Sequence, residues 1–178
     1  MNKKTIIGAL ALFFVGAIGG NFLVKSIKQP PEPSQETQSL IGSPLPEFSL
    51  VALDGVRENI KQWQGKVQII NFWATWCPPC KREIPVLIEL QTEYAARGLQ
   101  VIGIALDKRE PVSEFAEEAG INYPILLGSN AVEISEQLGN DMGILPYTVI
   151  VDQVGNISYV KYGEADRITL EEKIKLLL

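Results

Sequence analysis

Two cysteines in a chain of 178 residues stand three positions apart, at Cys77 and Cys80, with only Pro78 and Pro79 between them. Before them runs an apolar stretch from Val67 to Trp73, opened by Gly65-Lys66. After them the apolar positions Ile84, Leu87, Ile88, Leu90 and Tyr94 recur at helical spacing until Gly98, a residue suited to a helix C-terminus. A buried strand, a tight connection and a long helix in that order make a βα unit with both thiols at its junction. Pro85 falls within the helical stretch and is expected to kink it.

Alternating elements surround this unit. Phe48 to Leu53 ends at the turn pair Asp54-Gly55, and Leu99 to Leu106 is a second apolar run, so both read as strands. Pro111 to Ala119 reads as a short helix, Tyr123 to Leu127 as a short strand, and a further helix passes through Ile134 and Leu138. Tyr147 to Val151 and Ile157 to Tyr162 flank Asp152-Gln153-Val154-Gly155-Asn156, the pattern of an antiparallel hairpin. Apolar positions at Leu170, Ile174, Leu177 and Leu178 suit a final amphipathic helix. The fold class expected from βαβ units ending in a hairpin is α/β, with a central mixed sheet flanked by helices.

The N-terminal region has a different character. Residues 5–24 are apolar except for Thr5 and Asn21, and a helix of that length reaches about 30 Å, the thickness of a bilayer core. No small-residue cleavage triplet follows the run, and no cysteine lies near its end, so an uncleaved transmembrane anchor is favoured over a secretory or lipoprotein signal. Lysines flank it evenly, at Lys3 and Lys4 and at Lys25 and Lys28, and the short N-terminal tail is the easier side to leave in the cytoplasm. The expected division is a cytoplasmic tail at 1–4, an anchor at 5–24, a proline-rich linker at 25–43 and one catalytic domain at 44–178. The stretch Gln29-Pro30-Pro31-Glu32-Pro33-Ser34-Gln35-Glu36-Thr37-Gln38 is expected to act as an extended spacer.

Charge and composition exclude several functions. The chain has 16 basic against 21 acidic residues. Four of the lysines flank the apolar run, so the remainder is more acidic still and ill-suited to phosphate backbones or any nucleic acid. With no histidine, a single chain can build neither a Ser-His-Asp triad, nor a Cys-His pair, nor a histidine-ligated metal site. No cofactor is expected. A disulfide closing so short a loop constrains the unfolded chain little, which argues against a purely structural bridge. At a helix N-terminus, by contrast, unpaired amides and the positive end of the dipole favour a thiolate. Cys77 is placed to attack a substrate disulfide and Cys80, one turn inward, to resolve the mixed disulfide.

The stretch Asn71-Phe72-Trp73-Ala74-Thr75-Trp76-Cys77-Pro78-Pro79-Cys80-Lys81-Arg82-Glu83-Ile84-Pro85, with Gly143-Ile144-Leu145-Pro146-Tyr147-Thr148, resembles the thioredoxin superfamily, in particular its membrane-anchored TlpA/ResA/DsbE-like group. The resemblance extends from about Pro44 to Leu178. It implies a thioredoxin-like fold, a cis peptide bond before Pro146, and a docking surface for the substrate strand that includes Leu145 and Pro146. Trp76 corresponds to a tryptophan packed beside the active site, whereas Phe72 and Trp73 read as core. The implied clients are extracytoplasmic protein disulfides, apocytochrome c among them, and the implied electron source is a membrane thiol reductase. The expected location is a bacterial-type inner membrane, single-pass, with the catalytic domain outside.

Where many cytosolic thioredoxins carry a buried aspartate six residues before the first cysteine, this chain has Asn71. The base that serves Cys80 is therefore unassigned. Glu83 is a candidate and Asp107 a weaker one, both also readable as solvated surface charges. Pro78 and Pro79 lack N–H groups, so the Cys77 thiolate should be only moderately stabilised and the couple reducing. Two rival readings are a peroxiredoxin-like hydroperoxide reductase, suggested by Pro46-Glu47-Phe48-Ser49-Leu50 but poorly matched by Thr75 two residues before Cys77, and a copper-handling thiol module.

Overall fold

The strand predicted between Gly65 and the cysteines is the centre of the molecule. In the computed structural model, which describes residues 31–178, β3 (Val67–Trp73) is buried along its whole length. Five of its seven residues are apolar, which fits a strand covered on both faces, and Gln68 and Asn71 are the buried polar exceptions. It pairs in parallel with β4 (Leu99–Ala105) over seven residues, from Val67 opposite Leu99 to Trp73 opposite Ala105. Its other edge pairs antiparallel with β6 (Tyr147–Val151), and β6 with β7 (Ile157–Tyr162).

Three further strands complete the seven-stranded sheet. These are β1 (Ser49–Ala52), β2 (Arg57–Asn59) and β5 (Ile125–Leu127), and the strand order is β2-β1-β5-β4-β3-β6-β7. The helices are α1 (Gln35–Ser39), α2 (Pro78–Tyr94), α3 (Arg109–Ala119), α4 (Ala131–Gln137) and α5 (Arg167–Lys175). Side-chain alternation along β3 sorts the core into two faces. Ile70 and Phe72 pack with Ile102, Ile104, Tyr147, Val149, the α4 residue Ile134 and Leu138 at the end of that helix. Val67 and Ile69 face the other way, against Leu87, Leu90 and Tyr94 of α2 and Leu170 and Ile174 of α5.

Most elements lie where the sequence placed them, and the differences have local causes. The last helix starts three residues early because Asp166 caps it, accepting the Thr169 N–H at 2.9 Å. Helix α2 runs unbroken through Pro85, whose exposed ring meets solvent. Strand β2 was not foreseen, since Arg57-Glu58-Asn59 has no apolar pattern and is strand only by pairing with β1.

The stretch expected to be a featureless spacer contains α1. Ser34 caps it by accepting the Thr37 N–H at 3.1 Å, and Thr37 is buried. The following residues join the sheet edge, with Gly42 N–H donating to Ile157 O at 2.7 Å and Leu45 N–H to Gly155 O at 2.8 Å. The compact unit accordingly begins at Glu32. Among the described residues no helix is long and apolar enough to cross a membrane. The expected tail at 1–4, the anchor at 5–24 and the first part of the linker lie outside the described residues.

Candidate active site

Helix α2 begins on the first cysteine. Cys77 is its N-cap, in extended backbone conformation, and Pro78 and Pro79 fill the first two helical positions. Proline suits that place, because the N–H it lacks would have no intrahelical partner. The first amide able to meet the Cys77 sulfur is then that of Cys80, which donates to it at 3.3 Å. Cys77 and Cys80 form a disulfide with a Cα–Cα distance of 5.3 Å. Of the two, Cys77 is the more accessible, at 4% against 1%. That difference is in the direction expected if Cys77 meets an external disulfide and Cys80 serves the intramolecular step.

Glu83 is not a solvated surface charge. It is 1% exposed, on the same face of α2 as Cys80 one turn before it. The Thr148 hydroxyl donates to one carboxyl oxygen at 3.2 Å, and the Asn71 amide approaches the other at 3.4 Å while donating to Thr148 at 2.9 Å. Asn71 and Thr148 are cross-strand partners on β3 and β6, so the sheet supplies a polar floor beneath an acid on the helix. Burial pushes the Glu83 carboxyl up to about 8, against the opposing effect of hydrogen bonds from Thr148, the Ala165 amide and Asn71. A group titrating there can take or give a proton near neutral pH. The acid absent at Asn71 thus stands across from it, on the neighbouring element.

Asp107 serves otherwise. Its carboxylate accepts the Thr75 N–H at 3.3 Å and the Lys108 N–H at 2.7 Å, and the Thr75 hydroxyl also donates to it. Burial opposes ionisation, but these donors outweigh it and hold the carboxyl below its ordinary value. Asp107 therefore fastens the connection leading into Cys77 rather than carrying protons. The same contact turns the Thr75 hydroxyl towards Asp107, leaving the peroxidase reading without its threonine.

The remaining predicted residues gather at the same end of the sheet. Leu145 packs against the cluster formed by Trp73, Ala74, Cys77, Cys80 and Ile84, and the Leu145-Pro146 bond is cis. Gly163 N–H donates to Pro146 O at 2.8 Å, tying this loop to the end of β7. Trp76 stands in solvent, 67% exposed, rather than packed down beside the disulfide. Sequence reading left out the role of Thr148, whose only signal was its place two residues after Pro146.

Comparison with known proteins agrees with this geometry. Residues 40–175 match the redoxin family model. The chain is 31% identical over 182 residues to the thioredoxin-like protein YneN of Bacillus subtilis, covering 99% of each. It is 29% identical over 145 residues to the thiol-disulfide oxidoreductase ResA of Geobacillus kaustophilus, covering 80% of each. A thioredoxin-family thiol:disulfide interchange protein from Chlorobium tepidum superposes with a TM-score of 0.68 at 30% identity, over 84% of this chain and 99% of that one. A buried cysteine pair at a helix N-terminus, set in a thioredoxin-like sheet with these relatives, places the chain in the redoxin family, as a ResA-like thiol:disulfide oxidoreductase that works through Cys77 and Cys80.

Proposed function

We propose that this oxidoreductase is a membrane-tethered reductant of protein disulfides on the outer side of a bacterial-type inner membrane. The observation that carries the reading is the sparse stabilisation of Cys77: a helix N-terminus with two prolines and one amide, that of Cys80, on its sulfur. Weak thiolate stabilisation disfavours the reduced form and makes the couple a donor of electrons.

In the productive direction the Cys77 thiolate attacks a client disulfide, forming a mixed disulfide and releasing one client thiolate. Cys80 then gives its proton to Glu83 and attacks the Cys77 sulfur. The Cys77–Cys80 disulfide forms, the second client thiol leaves, and two electrons have passed to the client. Leu145 and Pro146 would present the client strand, and exposed Trp76 would meet its apolar residues.

The apolar run at 5–24 supports the anchor, and its flanking lysines suit a single pass with the domain outside. In an oxidising compartment the enzyme needs recharging, which a membrane electron-donor thiol reductase would supply. Apocytochrome c is the client the resemblance implies.

The deciding measurement is the reduction potential of the full chain in detergent, equilibrated against glutathione or dithiothreitol and read by Trp76 fluorescence. A value at or below about −250 mV is expected, and one near about −120 mV, the range of a strong oxidant, overturns the reductant reading. Protease digestion of intact spheroplasts tests the topology: a protected catalytic domain would rule out the outer location.

A further inference from the structure

Helix α1 reaches across 102 positions of sequence to the loop that carries the cis-proline. The Thr37 hydroxyl donates to Gly139 O at 2.8 Å. The Tyr162 hydroxyl stands within hydrogen-bond distance of Thr37, of the same Gly139 carbonyl and of the Asp141 carboxylate. Thr37 is 1% exposed, so these bonds are not shared with solvent.

The contact is also steric. Gly139 has φ +98°, and a Cβ there would lie 2.7 Å from Thr37 Cγ2 and 2.9 Å from Leu40 Cδ1. Only glycine allows α1 to close on the loop at this point. From Gly139 the order continues towards the site. Asn140 binds both ends of the following turn, accepting the Ile144 N–H at 2.9 Å and donating to Ile144 O at 3.1 Å. Ile144 precedes Leu145, which packs against the cluster holding both cysteines.

We infer that Thr37 is a positioning residue for client docking: through Gly139 and Tyr162, α1 holds the loop 139–146 that presents Leu145 and Pro146. Thr37 touches neither sulfur nor Glu83. Its loss should loosen where a protein client sits without altering the thiol chemistry. The inference rests on the reductase reading and on the docking role of that loop.

The test compares insulin with a small aromatic disulfide as substrates for the full chain in detergent. Thr37→Val should raise KM for insulin about fivefold, the size of one neutral hydrogen bond, with kcat, the small-disulfide rate and the reduction potential unchanged. Thr37→Ser keeps the hydroxyl and should restore the KM. Tyr162→Phe, which removes the bridging hydroxyl, should raise KM in the same way. A wild-type insulin KM in both Thr37→Val and Tyr162→Phe overturns the inference, as does a small-disulfide rate that falls in step with insulin turnover. A wild-type protein that reduced neither substrate would overturn the reductase reading, and this inference with it.

Discussion

Glu83 binds its proton more tightly in the folded protein than in the unfolded chain, since burial carries it from an ordinary 4.5 to about 8. Relative to an unperturbed acid, its contribution is most favourable below pH 4.5. It is lost as pH rises from about 4.5 to about 8, and above that the fold carries a buried carboxylate at a cost on the order of several kcal/mol. Glu83→Gln removes the titration while keeping a group that can pair with Thr148. Urea unfolding of oxidised protein should therefore find the variant more stable than wild type at pH 9, with the difference shrinking or reversing at pH 4.5. Catalysis should move the other way. Resolution of the mixed disulfide needs a group to take the Cys80 proton, so its wild-type rate should climb with pH up to about 8. In Glu83→Gln that limb should vanish and the rate at neutral pH fall by about 100-fold, as rapid-quench trapping of the mixed disulfide would show. An unchanged pH profile would remove Glu83 from the mechanism.

At the scale of elements, the start of α2 sets the redox character. Pro79 occupies the second helical position, where any other residue would offer an N–H towards Cys77. Pro79→Ala adds that donor, and a hydrogen bond to a charged sulfur contributes about 1.5 kcal/mol, equivalent to about 30 mV for a two-electron couple. The potential of Pro79→Ala should rise by about that amount, and the Cys77 thiolate should appear at lower pH, followed by its ultraviolet absorbance. Much of this site was legible in sequence, because a strand, CxxC and helical spacing are consecutive and local. The proton-handling group was legible only as a candidate. Charge alone reads Glu83 as surface, and its burial follows from Asn71 and Thr148, brought beneath it by β3 and β6 pairing across 77 positions of sequence. The contact that Asp107 makes is hidden in the same way, since its partner Thr75 lies 32 residues away.

For the whole molecule, what the sequence conveyed was the layered α/β order, and what it concealed was where the folded unit begins. Buried strands such as β3 and β4 announce themselves by apolar runs. The segment 32–43 does not: it is polar, and its structure depends on contacts with Gly139, Tyr162 and Ile157. A domain boundary at Pro44 would cut away α1, the Thr37 hydrogen bonds, the packing of Leu40 against the core and the Gly42 and Ser43 bonds to Ile157. Two or three net hydrogen bonds and one half-buried leucine amount to about 3 kcal/mol. In a domain of this size that corresponds to about 6–12 °C in Tm. A fragment beginning at residue 32 should melt higher than one beginning at 44 by that margin at equal pH and in the oxidised state. Because β3, α2 and Glu83 are untouched by the cut, both fragments should keep the same reduction potential. Equal melting temperatures would mean that α1 lies on the surface without supporting it.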